Sequence, residues 1–314
     1  MKVLVTGGAG FLGRGILRRQ ARGKLDWAEI TVFSRDETKQ EACRRRYPSA
    51  RYVLGDVAAC PDSLKVSMVG HDAVIHAAAM KYIPEAEVNA AECIRVNLNG
   101  SQEVAAAARW AGIKRIVGVS TDKAVQPVNV YGATKMAMER LFAECSSDNP
   151  QVGHPTEFTC VRYGNVVGST GSVIPLFRRQ YRELGHVRIT DPNMTRFWMS
   201  IDEAIDLIVI ALTARPGSVV VPLARAMRIG DVAKAATVDD VEMEVMGQRP
   251  GEKLHEQLIH WEESVRVSQH PTWFELLPPG TKPSQEAFTL ASHTPNDWMT
   301  VETMRGLIAD AVEV

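Results

Sequence analysis

Residues 2–13 read KVLVTGGAGFLG, and this stretch decides the fold. The largely apolar segment Lys2–Thr6 predicts a buried strand, and the glycines that follow it predict a tight turn. Helical periodicity over Phe11–Arg22 begins directly after the turn. A strand, a glycine turn and a helix in immediate succession are typical of the first unit of a doubly wound parallel sheet.

The same alternation of strands and helices continues through the first half of the chain. Because the strands are nearly unbroken apolar runs, they predict a parallel sheet covered by helices on both faces. The further predicted strands are Glu29–Phe33, Arg51–Leu54, Ala73–His76, Arg115–Ser120 and Glu157–Arg162. The further predicted helices are Asp36–Tyr47, Glu85–Trp110 and Tyr131–Cys145. The fold class is therefore α/β, a Rossmann-type doubly wound parallel sheet.

From about Tyr163 the alternation loosens and Gly and Pro become frequent. Candidate elements of this half are helices at Pro175–Leu184, Asp202–Leu212 and Gly230–Ala236, a loop at Leu276–Pro283 and a helix at Val301–Val312. We expect a Rossmann domain over residues 1–165. A smaller C-terminal α/β substrate-binding region, partly interleaved with the first domain, is expected over residues 166–314.

Composition excludes several classes of protein. The 314 residues are 45% apolar and 23% charged with a net charge of −1, so no overall field attracts nucleic acid or an anionic membrane. Apolar runs such as Leu207–Leu212 are far shorter than the ~18 residues of a membrane span. The chain shows no signal-peptide pattern, and its five widely spaced cysteines predict neither a disulfide framework nor a zinc site. We expect a cytoplasmic protein without a metal.

The glycine turn predicts a dinucleotide site. Glycines let the backbone approach a pyrophosphate, and the helix that follows offers its N-terminal N–H groups to the phosphate charge. The alternative is a tight turn that holds no ligand. The candidate cofactor residues here are Thr6, Gly7, Gly10, Phe11, Leu12 and Gly13.

The end of the second strand bears on the choice of cofactor. An acidic residue at this point would bind a ribose 2′-hydroxyl, but the sequence has Ser34 and Arg35, and Lys39 follows one helical turn later. A hydroxyl and a guanidinium suit a 2′-phosphate. Asp36 and Glu37 argue the other way, although they also fit the first turn of a helix. The sequence favours NADP over NAD.

Two further strand ends complete the predicted cofactor site. Asp56 and Val57 follow the third strand, where they would lie near the adenine. The small residues Ala77, Ala78 and Ala79 follow the fourth strand, where a cofactor must pass close to the backbone. We expect His76, at the end of that apolar strand, to be a core residue rather than a catalytic one.

Tyr131 and Lys135 are four residues apart, so on a helix they share one face. A tyrosine is a poor base near neutral pH. A neighbouring ammonium and an oxidised nicotinamide would both lower the pKa of its phenol. The pair downstream of a nucleotide turn therefore predicts a base that deprotonates a hydroxyl beside a hydride acceptor.

These motifs resemble the extended short-chain dehydrogenase/reductase family, through Thr6–Gly13, Asp56, Ala77–Ala79, Asn97 and Tyr131–Lys135. More narrowly, the chain is similar to the UDP-N-acetylglucosamine 4,6-dehydratases of polysaccharide biosynthesis, the CapD-like group, and among them to the short inverting members of the pseudaminic acid route. The segments that carry this similarity are Ser120–Ala124, Tyr131–Lys135, Arg162–Ser169, Met194–Trp198 and Arg249–Glu256. The similarity runs to about residue 265 and adds Asn97 to the cofactor residues.

The resemblance implies a lyase that turns UDP-N-acetylglucosamine into a UDP-4-keto-6-deoxy-N-acetylhexosamine. Bound NADP oxidises C4, water is eliminated across C5–C6, and hydride returns to C6. Tyr131 with Lys135 would take the 4-hydroxyl proton, and Thr121 would hydrogen-bond that hydroxyl. Lys123 would remove the C5 proton if desolvation or the charge of Lys135 depresses its pKa. Asp122 would protonate the departing 6-hydroxyl.

The similarity also implies residues that hold the sugar nucleotide. Lys81, Thr121, Asn165 and Val173 would contact the sugar or line its pocket. Thr195 belongs to the same set. Arg196 and Arg249 would pair with the diphosphate. Glu252 would accept a hydrogen bond from the ribose or the uracil. The alternative for each arginine is a surface ion pair.

Other residues carry simpler expectations. Trp198 and Trp261 are expected to pack rather than stack on a ligand. His255 and His260 are five residues apart, which does not match the four-residue spacing of a zinc-binding helix.

Other functions remain open from the sequence. A retaining 4,6-dehydratase shares these motifs, whereas a UDP-sugar 4-epimerase or dehydrogenase needs Tyr131 and Lys135 but no acid–base pair at Asp122 and Lys123. A non-catalytic NADP-binding regulator has no need of either pair. The family resemblance implies a homo-oligomer, either a dimer or a hexamer.

Overall fold

The computed structural model describes residues 1–146 and 156–311. The strands are β1 (Lys2–Thr6), β2 (Glu29–Ser34), β3 (Arg51–Leu54), β4 (Ala73–His76), β5 (Arg115–Val119), β6 (Glu157–Val161), β7 (Asn165–Val166), β8 (His186–Ile189), β9 (Thr195–Met199), β10 (Val219–Pro222), β11 (Arg225–Arg228), β12 (Glu242–Val245), β13 (Gln257–Ile259), β14 (Val267–Gln269), β15 (Trp273–Leu276) and β16 (Leu290–Ala291). The helices are α1 (Phe11–Ala21), α2 (Glu37–Arg46), α3 (Pro61–Met68), α4 (Ile83–Val88), α5 (Ala90–Ile94), α6 (Gly100–Ala111), α7 (Val130–Cys145), α8 (Val173–Leu184), α9 (Ile201–Ala211), α10 (Ile229–Ala236), α11 (Trp261–Ser264) and α12 (Val301–Ala311).

A nine-stranded sheet forms the centre of the molecule, in the order β14-β15-β10-β6-β5-β4-β1-β2-β3. The seven strands from β10 to β3 are parallel, and β15 and β14 add antiparallel pairings at the far edge. The order 3-2-1-4-5-6 within it is that of the doubly wound dinucleotide fold. The predicted fold class is confirmed.

Both faces of the sheet are buried, which explains the unbroken apolar strands. Val3 and Val5 of β1 pack on one face with Ile16 of α1 and Ile205 of α9. Leu4, between the two valines, packs on the other face. Because successive strand side chains point to opposite faces, a strand that is buried on both sides has few positions for polar residues.

The second half of the chain contributes to two units. Its strands β10, β14 and β15 extend the large sheet, whereas β7, β9 and β11 form a separate three-stranded sheet. The core of the smaller unit comprises residues such as Phe177, Val187, Trp198, Val232 and Met304. The chain therefore crosses between the two units, and the domain boundary near residue 165 stays a prediction.

The long helix predicted over Glu85–Trp110 is interrupted, so that prediction is wrong. Asn89 leaves the helical region with φ −124° and ψ 50°, and its side-chain amide donates to the Glu85 carbonyl. A short π-helical turn, Arg95–Asn99, then precedes α6. An asparagine that hydrogen-bonds nearby backbone competes with the helix, and π turns often occur at functional sites.

Helix α3 was not predicted, although Pro61 at its first turn and the buried Leu64 and Met68 are its visible signals. The other predicted elements agree with the structure to within two residues at each end, apart from Val312 of the last helix, which lies outside the described residues. Among residues 1–146 and 156–311, no helix is long and apolar enough to cross a membrane.

Candidate active site

A cavity of about 840 Å³ opens where the carboxyl ends of the parallel strands meet the smaller unit. Parallel strands bring all their carboxyl ends to one edge, and ligands of this fold bind in the crevice there. The cavity wall includes residues that follow β1, β2, β3, β4 and β5. These strand ends are the places where the sequence predicted cofactor and catalytic residues.

The glycine turn after β1 forms one end of the cavity. Gly7 has φ +66°, and a Cβ placed on it would lie 2.8 Å from the Ala78 backbone. Gly10 caps α1 without a side-chain partner, and the first turn of that helix carries no acidic residue. The helix N-terminus is therefore available to an anion at a point where only glycine allows this backbone packing. The turn fits the pyrophosphate of a dinucleotide.

The residues that bear on NADP line the next part of the cavity. Ser34, Arg35 and Lys39 all reach its wall. Asp36 is the N-cap of α2, where its carboxylate accepts from the Lys39 amide at 2.9 Å. Its Oδ2 also lies 2.7 Å from Lys39 Nζ. The helix-capping interpretation of Asp36 is confirmed, and the choice between NADP and NAD stays a prediction.

Asp56 and Val57, which the sequence predicted to lie near the adenine, both line the cavity. The Asp56 carboxylate pairs with Arg95 at 3.0 Å and with Arg35 at 3.5 Å. Burial raises the pKa of Asp56, but the Ala58 amide and these guanidiniums outweigh it and lower the pKa below its usual value. Asp56 is therefore ionised and holds Arg35 beside the cavity.

Three predicted cofactor residues do not reach the cavity wall and instead shape it. Thr6 Oγ1 contacts His76 Nδ1 at 2.8 Å and accepts from the Ala78 amide at 3.3 Å. The Asn97 amide binds both the N–H and the carbonyl of Met80. A Cβ on Gly13 would lie 2.0 Å from the Gly8 carbonyl oxygen. Direct contact of these three residues with a cofactor stays a prediction.

His76 is a core residue, as expected. It is fully buried between the hydroxyls of Thr6 and Ser101, at 2.8 and 3.0 Å. Burial and the charge of Lys135 lower its pKa to about 3, so the imidazole is neutral.

The residues predicted to be catalytic occupy a short turn after β5 and the first turns of α7. Thr121 caps a 3-10 turn over Asp122–Ala124, and Asn129 caps α7 by accepting from the Gly132 amide at 2.7 Å. Gly132 packs so closely on this turn that a Cβ would lie 2.2 Å from the Lys123 carbonyl oxygen. The sequence therefore fixes the turn and the helix against each other, and Thr121, Lys123, Tyr131 and Lys135 all line the cavity.

The pKa of Tyr131 is higher than the sequence predicted. Burial raises it to about 12, against the opposing effects of the Lys123 charge and the Thr121 hydroxyl. Lys135 Nζ donates to the Val119 carbonyl at 2.8 Å. Burial lowers the pKa of Lys135 to about 8. In this structure the lysine is therefore held by the sheet, and the phenol needs a further positive charge at the cavity to become a base at neutral pH.

The expectation of a depressed pKa at Lys123 is wrong. Burial acts in that direction, but the carboxylates of Asp122 and Glu256 outweigh it and raise the pKa above its usual value. Lys123 Nζ lies 2.9 Å from Asp122 Oδ1 and 3.6 Å from Glu256 Oε1. The amine is therefore an ammonium before substrate binds.

Asp122 lies behind Lys123 rather than on the cavity wall. Its side chain is fully buried, and Oδ1 accepts from both Thr121 Oγ1 and Lys123 Nζ at 2.9 Å. Its other oxygen, Oδ2, has no hydrogen-bond partner among the described residues. A buried carboxylate oxygen without a partner has room to accept a further hydrogen bond.

The residues predicted to hold the sugar nucleotide line the same cavity, with one exception. Lys81, Asn165, Val173, Arg196, Arg249 and Glu252 line the cavity. Thr195 does not line it, because its hydroxyl is buried against His255 Nδ1 and Ser292 Oγ at 2.8 and 2.7 Å. Substrate contact by Thr195 stays a prediction that this geometry does not favour.

The two arginines of this set differ. The Arg196 guanidinium donates to the carbonyls of Thr195, Lys253 and Leu254 at 2.7, 2.9 and 3.2 Å, so it mainly fixes the backbone beside the cavity. The Arg249 side chain is 55% exposed, and its Nε lies 4.0 Å from Glu252 Oε1. Arg249 is thus the arginine that is better placed to meet a diphosphate.

Glu256 is the site residue that the sequence analysis missed. It lines the cavity and approaches Lys123, yet the sequence analysis names it only as the end of the similar segment Arg249–Glu256 and assigns it no role. Nothing in a single sequence pairs Lys123 with a carboxylate so distant along the chain. His255 lies outside any helix, as the rejection of a zinc-binding helix requires.

Of the two tryptophans, Trp198 is 1% exposed and packs in the smaller core as predicted. Trp261 is 54% exposed at the start of α11, so the expectation that it packs is wrong.

Comparisons with known proteins agree with this geometry. A family described as polysaccharide biosynthesis protein matches residues 3–278. The chain is 37% identical over 280 residues to a UDP-N-acetylglucosamine 4,6-dehydratase (inverting) of Campylobacter jejuni, covering 88% of this chain and 82% of that protein. It is 36% identical over 282 residues to a protein of Rickettsia bellii named UDP-glucose 4-epimerase, covering 87% and 82%. The X-ray structure of Pen from Bacillus thuringiensis superposes with a TM-score of 0.90 at 31% identity, covering 100% of this chain and 98% of that one.

Proposed function

The chain belongs to the family of polysaccharide biosynthesis proteins, and from this premise we propose that it is a UDP-N-acetylglucosamine 4,6-dehydratase. The product is a UDP-4-keto-6-deoxy-N-acetylhexosamine. The observation that carries the proposal is Lys123 at the cavity wall, paired with Asp122 directly behind it and next to Tyr131 and Lys135. A 4-epimerase or a dehydrogenase needs no such acid–base pair.

The turn after β1, together with Ser34, Arg35 and Lys39, would hold NADP, and Tyr131 and Lys135 would face its nicotinamide end. When bound, the nicotinamide supplies the hydride acceptor for C4 and the hydride donor for C6. Tyr131 takes the proton of the sugar 4-hydroxyl. Because burial outweighs the effects of the Lys123 charge and the Thr121 hydroxyl and raises the pKa of the phenol to about 12, we expect this step only when a further positive charge lies beside it.

Elimination requires a neutral amine and a protonated carboxyl side by side. The resting pair is charged because Asp122 and Glu256 raise the pKa of Lys123, so the proton must first pass, in an uphill step, from the ammonium to the carboxylate along the hydrogen bond of 2.9 Å between Lys123 Nζ and Asp122 Oδ1. Neutral Lys123 then takes the proton at C5, which the 4-ketone has acidified. The electron pair forms the C5–C6 double bond, and Asp122 protonates the departing 6-hydroxyl, which leaves as water.

The elimination restores the charges of the starting structure, with an ammonium at Lys123 and a carboxylate at Asp122. The two groups therefore need no external acid or base for the elimination, and a proton from solvent returns to C5 once C6 has taken up the hydride. Arg249 and Glu252 would bind the UDP portion and Lys81 and Asn165 would bind near the sugar, which is supported by their lining the cavity. We further propose inversion at C5, as in the name of the Campylobacter jejuni relative. NADP as the cofactor, a homo-oligomer and a cytoplasmic location complete the proposal.

Incubation of the protein with UDP-N-acetylglucosamine tests the proposal directly. We expect a product that has lost the mass of one water, with no accumulation of reduced cofactor. Proton NMR of the product then gives the configuration at C5. An isomer of unchanged mass would support the 4-epimerase, and reduced cofactor formed in proportion to product would support a dehydrogenase. An unchanged substrate would favour a non-catalytic cofactor-binding protein.

A further inference from the structure

One buried carboxylate at the cavity wall has no part in the mechanism above. Glu256 is 3% exposed, and its Oε1 lies 3.6 Å from Lys123 Nζ, on the wall that the smaller unit contributes. Its Oε2 is buried without a hydrogen-bond partner among the described residues. Burying a carboxylate is costly unless its charge is balanced, so this position calls for an explanation.

The position of Glu256 is fixed by several contacts. Its backbone N–H donates to Ser292 Oγ at 2.9 Å. Lys253 Nζ lies 3.7 Å from Oε2, and Arg196 Nε lies 4.0 Å from Oε1. With Lys123, three cationic side chains surround this one carboxylate.

We propose that Glu256 is a positioning residue of the dehydration, which holds the Lys123 amine at the cavity wall and retains a proton on it between turnovers. The role of Glu256 in catalysis rests on the proposed function, whereas the ion pair between Glu256 and Lys123 does not depend on it. Asp122 alone would pull the amine toward the buried turn from one side. A second carboxylate on the cavity side keeps the amine between the two, where a sugar ring can reach it.

The groups that face Lys123 come from every element around it. They are Asp122 of its own turn, Tyr131 of α7, Lys81 after β4, Arg196 of β9, and Lys253 and Glu256 before β13. Only Asp122 and Glu256 among these carry negative charge. Loss of the Glu256 charge therefore leaves the ammonium with one carboxylate against several cations, and the proton is held less tightly.

The same segment connects binding to chemistry. Arg249 and Glu252 line the cavity, and Glu256 lies at the other end of the segment. Lys253 donates to the Val125 carbonyl at 2.5 Å, and Asn129 donates to the Gly251 carbonyl at 2.8 Å, so the segment is attached to the catalytic turn and to the cap of α7. A ligand that orders residues 249–256 would therefore also order Glu256, the partner of Lys123.

The first test measures the proton on Lys123 without using enzyme activity. The protein with its cofactor is treated with an amine-acylating reagent over a series of pH values, and labelling of Lys123 is quantified by peptide mass spectrometry. We expect the labelling midpoint of Glu256→Gln to lie about one pH unit or more below that of the wild type. Glu275→Gln is the matched control, because Glu275 is also buried but accepts from Arg215 N and Ser218 Oγ in the far edge of the sheet. An equal midpoint in the wild type and Glu256→Gln would overturn the proposal.

A second variant guards against misfolding. Glu256→Asp keeps the charge but moves it away from Lys123 by the length of one methylene. We therefore expect the labelling midpoint of Lys123 to shift in the same direction as in Glu256→Gln, but by less. An unmoved midpoint in this variant, if Glu256→Gln does not fold, would equally overturn the proposal.

The second test uses turnover. In Glu256→Gln we expect kcat to fall about tenfold or more while KM stays within about threefold, because the amine and not the nucleotide site is disturbed. The alkaline limb of kcat should move to lower pH, and Glu256→Asp should partly restore it. If Glu256 had only a structural role, the alkaline limb of kcat would stay in place, and that result would overturn the proposal. A wild-type protein that dehydrates no sugar nucleotide would refute the proposed function instead, and the labelling result would still decide whether Glu256 controls Lys123.

Discussion

The contact between Gly132 and the catalytic turn allows a quantitative prediction. An alanine Cβ at this position would lie 2.2 Å from the Lys123 carbonyl oxygen and 3.2 Å from Asn129 Oδ1. Carbon and oxygen in van der Waals contact are separated by more than 3 Å, so the start of α7 and the turn must move apart by about 1 Å. A misplacement of about 1 Å costs about 100-fold in rate, and we expect Gly132→Ala to lose activity by about that factor.

The expected effect on stability is much smaller than the effect on rate. Relieving the overlap costs about 1–3 kcal/mol, which is partly offset by the ~1 kcal/mol that alanine gains over glycine within a helix. Gly306→Ala is the matched control, because Gly306 is also helical and nothing lies within 4 Å of its added Cβ. It should raise the free energy of unfolding by up to about 1 kcal/mol and leave kcat unchanged.

The assay is the steady-state rate of dehydration together with chemical denaturation of both variants and the wild type. The reasoning is refuted if Gly132→Ala turns over at the wild-type rate with wild-type stability, because the turn and the helix would then not be held by close packing.

Three further predictions follow from buried charges and from the cofactor site. Burial lowers the pKa of Lys135 to about 8, so above that pH the unfolded chain holds a proton that the folded chain has released. The free energy of unfolding of the wild type, measured relative to Lys135→Met by denaturation curves, should therefore rise from pH 8 toward 10 by up to about 3 kcal/mol. Arg162 lies between Glu139 and Glu263, at 2.6 and 2.5 Å. Arg162→Met should therefore lower the free energy of unfolding by about 3–5 kcal/mol in the same assay. A loss below about 1 kcal/mol would show that the two buried carboxylates do not depend on this guanidinium. Arg35→Ala should weaken NADP binding about tenfold in a fluorescence titration while NAD binding changes little, and equal losses for both cofactors would contradict a 2′-phosphate contact.

The parts of the fold that depend on local pattern could be predicted from the sequence. Apolar strands flanked by glycine turns predicted the parallel sheet, because a strand that is buried on both faces admits few polar residues. The four-residue spacing of Tyr131 and Lys135 placed both side chains at one cavity, since both lie on the first turns of α7. Both inferences use only neighbours in the chain and the periodicity of an element.

Properties that depend on distant residues could not be predicted in this way. The charge on Lys123 is set partly by Glu256, which reaches the turn from the smaller unit. The guanidinium of Arg196 was expected at the diphosphate but is largely occupied by the carbonyls of a segment that follows much later. The break at Asn89 depends on its side chain binding a backbone carbonyl, which helical periodicity does not reveal.

The central claim is that Lys123 takes the proton from C5 of a hexose bound in this cavity. The most direct measurement is NMR of the sugar nucleotide recovered after incubation in deuterium oxide with the wild type and with Lys123→Ala. We expect the wild-type product to carry solvent deuterium at C5 and the nucleotide recovered from Lys123→Ala to carry none. Deuterium at C5 with the variant, or a dehydrated wild-type product without it, would contradict the assignment.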